Sequence, residues 1–123
     1  MIELSLNDRR MDATTEEAFD ASLGSAMAES AFELWVSVPD GPAMCMLRNG
    51  ADAWLMYLRW PADAGFRSVG VERSGTASYA LSNAQVDEYP LSWCVDVQSC
   101  FDAFRSFHRH QGVRPKCIDW TDS

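Results

Sequence analysis

The sequence predicts an α+β fold, an antiparallel sheet of about five to seven strands with two main helices packed on it. Three observations carry that reading. An apolar stripe of helical period runs from Val97 to Phe107, and a second helical pattern with a capping signature occupies Thr15 to Ala28. Between and around them lie short alternating runs broken by tight turns. Strands joined by turns that short are antiparallel, because a parallel pair needs a long crossover.

Ile2, Leu4 and Leu6 alternate with Glu3 and Ser5, the period of a half-buried strand. Asn7 to Asp12 is polar and reads as a loop. Thr14-Thr15-Glu16-Glu17 fits a capping box with Thr14 as the N-cap, and Phe19 and Leu23 mark the core side of the helix that follows. From Ala31 the period changes to two, with Phe32, Leu34, Val36 and Val38 on one face. Pro39-Asp40-Gly41-Pro42 is a turn and Ala43 to Leu47 the return strand. Arg48-Asn49-Gly50 is a second turn, with the Asn-Gly pair that tight hairpins favour. Ala53 to Leu58 is apolar almost throughout, as in a strand covered on both faces. Trp60 to Gly65 breaks it. Phe66 to Val71 and Thr76 to Leu81 are two further strands, Ser82 to Tyr89 is a polar acidic stretch, and Trp93-Cys94-Val95 is a short strand.

The second helix has the clearest signal. Val97, Cys100, Phe101, Phe104 and Phe107 fall at i, i+3, i+4, i+7 and i+10. Asp96 stands where an N-cap accepts orphan backbone N–H groups, Arg105 and Arg109 stand near the negative dipole end, and Gly112 and Pro115 stop the helix. Lys116 to Trp120 is a last extended piece returning to the sheet.

A chain of 123 residues, 47% hydrophobic, forms one domain over residues 1–123 with a proper core. No apolar run reaches the ~20 residues of a membrane span, and Met1 to Leu6 has no signal-peptide pattern, so the expected location is cytoplasmic. Cys45, Cys94, Cys100 and Cys117 form no close pairs and read as buried free thiols. With 18 acidic against 10 basic residues the charge is −8, which disfavours nucleic-acid binding and suits a basic protein partner or plain solubility.

No constellation of residues supports an enzyme. His108 and His110 point to opposite sides of a helix and no paired-cysteine knuckle completes a metal site. Ser74 lacks a Gly-x-Ser-x-Gly elbow, and no Gly-rich loop opens a helix to hold phosphate. Expectation is therefore no catalytic residue, no metal and no cofactor. What remains is surface. Trp60, Phe66 and Tyr79 lie at or beside loops, in a region shared with Asp63, Glu72, Asp87, Glu88 and Tyr89. Rigid rings beside carboxylates are the raw material of a protein interface; the alternative is that the rings cap the sheet as core.

The C-terminal third carries a resemblance. Cys94-Val95, the helix Val97 to Gln111, Arg114-Pro115 and Trp120 followed by an acidic residue resemble the ending of a family of bacterial immunity proteins. The earlier order of elements is also similar, through Asp52 to Tyr57 and the loop before Ser68-Val69-Gly70. Members protect cells from polymorphic and contact-dependent toxins, including nucleic-acid deaminases such as the double-stranded-DNA cytosine deaminase toxin. Trp60, Cys117 and the Pro61 to Gly65 loop depart from the family pattern.

The resemblance implies a cytoplasmic antitoxin without catalysis, paired one to one with a toxin domain that is basic and, in the favoured case, a zinc-dependent deaminase. It implies structural roles for Arg114-Pro115 and the terminal Trp. Neither nucleic acid nor membrane is an expected partner. Two other classes stay open: a small-molecule or enzymatic pocket lined by Trp35, Trp54 and Tyr57, and a subunit self-associating through the sheet edge.

Overall fold

A computed structural model describes residues 1–123. In chain order the elements are β1 (Glu3–Leu6), β2 (Arg9–Met11), α1 (Glu16–Met27), β3 (Ala31–Ser37), β4 (Ala43–Asn49) and β5 (Asp52–Leu58). Then come β6 (Phe66–Ser68), β7 (Thr76–Ala80), β8 (Val86–Pro90), a 3-10 turn (Leu91–Trp93), α2 (Val97–Arg109) and β9 (Trp120–Asp122). Seven strands form one antiparallel sheet in the order β2-β1-β3-β4-β5-β6-β9, while β7 and β8 pair only with each other. The fold is α+β, as the sequence predicts.

Alternation along the central strands sets two different surfaces. Phe32, Leu34, Val36, Met44, Met46, Ala53, Leu55 and Tyr57 face the helices. There they join Phe19, Leu23 and Ala26 of α1 and Cys100, Phe101, Phe104 and Phe107 of α2 in one cluster of 21 buried residues. Cys45, Leu47 and Trp54 face the other way and are covered by Tyr79 of the β7–β8 hairpin. That second cover explains the apolar run of β5.

Asp96 caps α2 by accepting from the Ser99 N–H (2.9 Å). At the other end Gly112, with φ of +96°, donates to the Phe107 carbonyl (2.9 Å). Helix α2 ends at Arg109 rather than Gln111.

Several expectations are corrected. Asn7 to Asp12 is not a loop: Asn7 and Asp8 both take positive φ, the geometry of a tight hairpin turn, and Arg9–Met11 returns along β1. Thr15 is the N-cap of α1, accepting from the Ala18 N–H (3.0 Å), while Thr14 lies one residue earlier with its hydroxyl turned to Asp12 (2.7 Å). With Ala18 at the third helical position, the reciprocal half of a capping box is missing.

β6 stops at Ser68 rather than Val71, because the Gly70 N–H leaves the sheet and donates to the Ser92 carbonyl (2.8 Å). A Cβ on Gly70 would collide with the Cys94 carbonyl oxygen, so only glycine fits there. Val86–Pro90, read as a polar stretch, is a full strand. Trp93 to Val95 is not one: it is the end of a 3-10 turn followed by a single bridge from Val95 to Ala53. The last strand lies at Trp120–Asp122, slightly beyond the predicted piece, and pairs with β6 at the edge.

Candidate protein interface

The eight residues singled out from sequence do not form one patch. Trp60 and Asp63 belong to the β5–β6 turn and Phe66 opens β6. Glu72 follows β6, and Asp87, Glu88 and Tyr89 lie on β8. The turn leaves the C-terminal end of β5, whereas Arg73, next to Glu72, pairs with Asp52 at its N-terminal end (3.4 Å). Those ends are about 20 Å apart at strand rise. Phe66 packs with the helix-side core, and Tyr89 with the hairpin-side cluster.

Tyr79 is corrected outright. It sits mid-strand, 1% exposed, with its hydroxyl 3.3 Å from Cys94 Sγ. Burial first, then the Cys94 contact, push its phenol far above the usual tyrosine range. It belongs to the hairpin's anchor and offers no surface to a partner.

The turn is built around one carboxylate. Asp63 accepts from the Arg59 backbone N–H, Nε and Nη2, each at 2.9 Å. Those side-chain and then backbone hydrogen bonds hold its carboxyl far below the usual range. Its side chain keeps only 3% exposure, shielded by its own turn rather than by depth. The fork fixes the Arg59 guanidinium 4.4 Å from the Trp60 ring and 5.1 Å from Phe66. Arg114 stands 4.4 Å over Phe66, so ring and guanidinium alternate through four side chains. Trp60 remains 51% exposed.

Beside this ladder a cleft of about 580 Å³ opens between the turn and residues 113–120. Its back wall is braced: the Tyr57 hydroxyl donates to the Gly112 carbonyl (2.6 Å), and Trp120 Nε1 donates to Pro115 (2.8 Å). Burial raises the Tyr57 phenol, an effect the nearby Arg114 charge offsets in part. Sequence reading left Arg59 out and took Arg114 as structural. The available signal was the Arg59-to-Asp63 spacing across a Pro-containing turn.

The hairpin side has an aromatic floor and a polar rim. Trp54 packs against Tyr89 (4.6 Å) and Trp93 (5.2 Å). Next to it lies a cleft of about 200 Å³ lined in part by Trp35, Glu33 and Leu81. Burial pushes Glu33 up, yet hydrogen bonds from Ser82 and the Trp35 indole outweigh it and leave the carboxyl below its usual range. Tyr89 donates to Asp87 (3.1 Å), and Thr76 to Glu88 (2.8 Å). The Trp54 indole N–H is buried without a partner. A pocket shared by Trp35, Trp54 and Tyr57 does not exist, since Tyr57 lies on the opposite face of the sheet and lines the other cleft.

The cysteines are all free; burial pushes the thiols of Cys45 and Cys100 above their usual range, and partial desolvation raises that of Cys117. Cys117 is exposed, not buried as expected. His108 stacks on Phe19 at 4.3 Å, while His110 is exposed. No three His, Cys, Asp or Glu side chains converge in a way that would hold a metal ion. Neither helix is long and apolar enough to cross a membrane. Both sheet edges are three-residue strands, β2 and β9, which offer little backbone for edge-to-edge pairing.

No curated protein matches the chain. The family model described as Immunity protein Imm1 matches residues 7–122, from the β1–β2 turn to the last strand. The chain therefore belongs to the Imm1 family of immunity proteins, whose role implies binding a cognate toxin.

Proposed function

We propose that this immunity protein silences its toxin by occlusion, as a single domain bound one to one over the toxin's active site and without catalysis of its own. The observation that carries this is the hairpin side: Asp87 and Glu88 of β8 flank Tyr89, which with Trp93 keeps part of its ring exposed over the buried Trp54, on a chain of charge −8. A toxin that acts on nucleic acid presents a basic groove, and an acidic surface fits it. Charge speeds the encounter, while rings that lose water on contact slow release. An interface of standard size, roughly 1,600 Å² in total, is expected.

The favoured toxin is a zinc-dependent nucleic-acid deaminase, met in the cytoplasm. The support is the resemblance of Cys94-Val95, α2, Arg114-Pro115 and Trp120 to immunity proteins that guard against such toxins. Affinity capture from native cells with mass spectrometry tests it. A stoichiometric basic partner carrying His-x-Glu and Pro-Cys-x-x-Cys, inactive on nucleic acid until freed, is the expected result. A partner without that motif removes the deaminase. A captured toxin that stays active in the complex removes occlusion.

The orphaned Trp54 N–H beside the 200 Å³ cleft favours a second reading, a small-molecule pocket for a ligand with a hydrogen-bond acceptor. A thermal shift with metabolites and no protein partner would support it.

A further inference from the structure

The cleft beside the β5–β6 turn differs in charge from the rest of the chain. Arg59, Arg114 and Lys116 line it against a single lining carboxylate, Asp119. Arg59 is matched by Asp63. Elsewhere Arg10, Arg73, Arg105 and Arg109 also pair with carboxylates, and Arg48 donates to the carbonyls of Gly50, Met27 and Glu29. Arg114 and Lys116 pair with none, as Arg9 and Arg67 do not elsewhere, but only here do two such cations share one cleft, in a chain with 18 acidic residues to 10 basic ones. Both are mounted on the segment braced by Tyr57 and Trp120, so little backbone order remains to be lost on binding. Two of the chain's exposed large apolar side chains flank the cleft, Trp60 at 51% and Val113 at 56%.

We propose that this cleft is a second toxin-contact site that takes a carboxylate-bearing segment of the toxin. An Asp or Glu side chain seats between Arg114 and Lys116, and its apolar neighbours lie on Phe66 and Val113. A guanidinium over a ring face, as Arg114 is at 4.4 Å from the Phe66 centroid, uses none of its N–H donors there and keeps them for a carboxylate fork. This rests on the toxin-binding reading above, but it assigns the opposite charge to a different face of the sheet. The toxin then straddles the three-residue edge strand β9 to reach both.

The single lysine of the sequence is Lys116, which makes the test specific. The complex of the full chain with its toxin is treated with a carbodiimide, which joins an amine to a carboxylate in contact with it. The expected product is the Lys116 peptide joined to a toxin Asp or Glu. Lys116→Arg keeps the charge but cannot couple, so it removes that product. Arg114→Glu should raise the dissociation rate about tenfold, since breaking an interfacial charge pair acts mainly on release. If the complex forms yet couples only through this chain's carboxylates, with Arg114→Glu releasing at the unaltered rate, the cleft is no toxin site and toxin binding stands. Coupling of Lys116 to a second copy of this chain overturns the choice of occupant. Failure of any toxin to bind overturns both readings together.

Discussion

The two faces of β4 and β5 are made by alternate residues of the same strands, yet they are closed by different means. On the helix side, five phenylalanines (Phe19, Phe32, Phe101, Phe104 and Phe107) are sealed within a 21-residue cluster. On the hairpin side the buried cluster has only four residues, and the cover is tied down by side chains: Asn49 to Ser78, Glu33 to Ser82, and Tyr79 against Cys94. The first face is a dry layer with no internal choice of partner. The second carries an indole N–H with nothing to bond, a small cleft and exposed carboxylates at its rim. Local opening costs least where buried apolar contacts are few, so the hairpin can adjust while the helix side sets global stability. A protein that must remain folded while fitting another surface gains from that division.

The largest effect should come from the helix side. Phe104→Ala leaves a cavity under α2 and should cost about 3–5 kcal/mol, read as a global loss in urea unfolding. Tyr89→Ala strips the ring lying against Trp54 and Trp93, and should cost less, roughly 1–2 kcal/mol. Its signature is local. Amide exchange should accelerate across Val86–Pro90 while β4 keeps its protection. Equal and global losses from the two variants would erase the distinction between the faces.

Binding variants sharpen the comparison further. Trp60→Ala should raise the toxin dissociation rate about tenfold, as expected for an exposed aromatic anchor, with stability altered by no more than about 1 kcal/mol. Reversing Asp87 and Glu88 to Lys should instead slow association several-fold at low salt and leave release nearly unaltered, because rim charges act on encounter. Stopped-flow kinetics separates the two. If the double reversal associates at the wild-type rate, the acidic hairpin does not face the toxin.

Much of this division was written in the chain. The Val97–Phe107 stripe, the Asp96 cap and Gly112 define α2 because each is a local signal. The near-continuous apolar run of β5 correctly implied two covered faces. Sequence could not say what the second cover was. Val86–Pro90 shows no apolar-in, polar-out alternation, since Val86 is exposed and Asp87 is half-buried beside Tyr89, and its pairing with β7 is set by register across the whole hairpin. Tyr79 looked like a loop-side aromatic for the same reason: the alternation Thr76 to Ala80 is too short to show which side is inward. The candidate site fared worse than the fold, because the stack of Trp60, Arg59, Phe66 and Arg114 joins residues up to 55 positions apart. Only the folded β9 edge brings the last of them in.

The smallest expected effect concerns the carboxylate that orders this stack. In the unfolded chain Asp63 takes up a proton near the ordinary value of about pH 4, whereas the Arg59 fork holds the folded carboxyl well below it. The folded state therefore gains from the ionised form above about pH 4, and that gain fades as pH falls through the folded value. Asp63→Asn has no such titration and cannot draw Arg59 into a charged fork. Urea unfolding of the two proteins should differ most near neutral pH, with the curves converging as pH falls from about 4 to 2. At neutral pH the variant should also lose exchange protection at the Arg59 amide, which donates to this carboxylate. Curves that stay parallel throughout the acid range would mean that Asp63 and Arg59 are in contact without stabilising the turn. The ladder over Phe66 would then have to be held from the Arg114 side, by the brace of Tyr57 on Gly112.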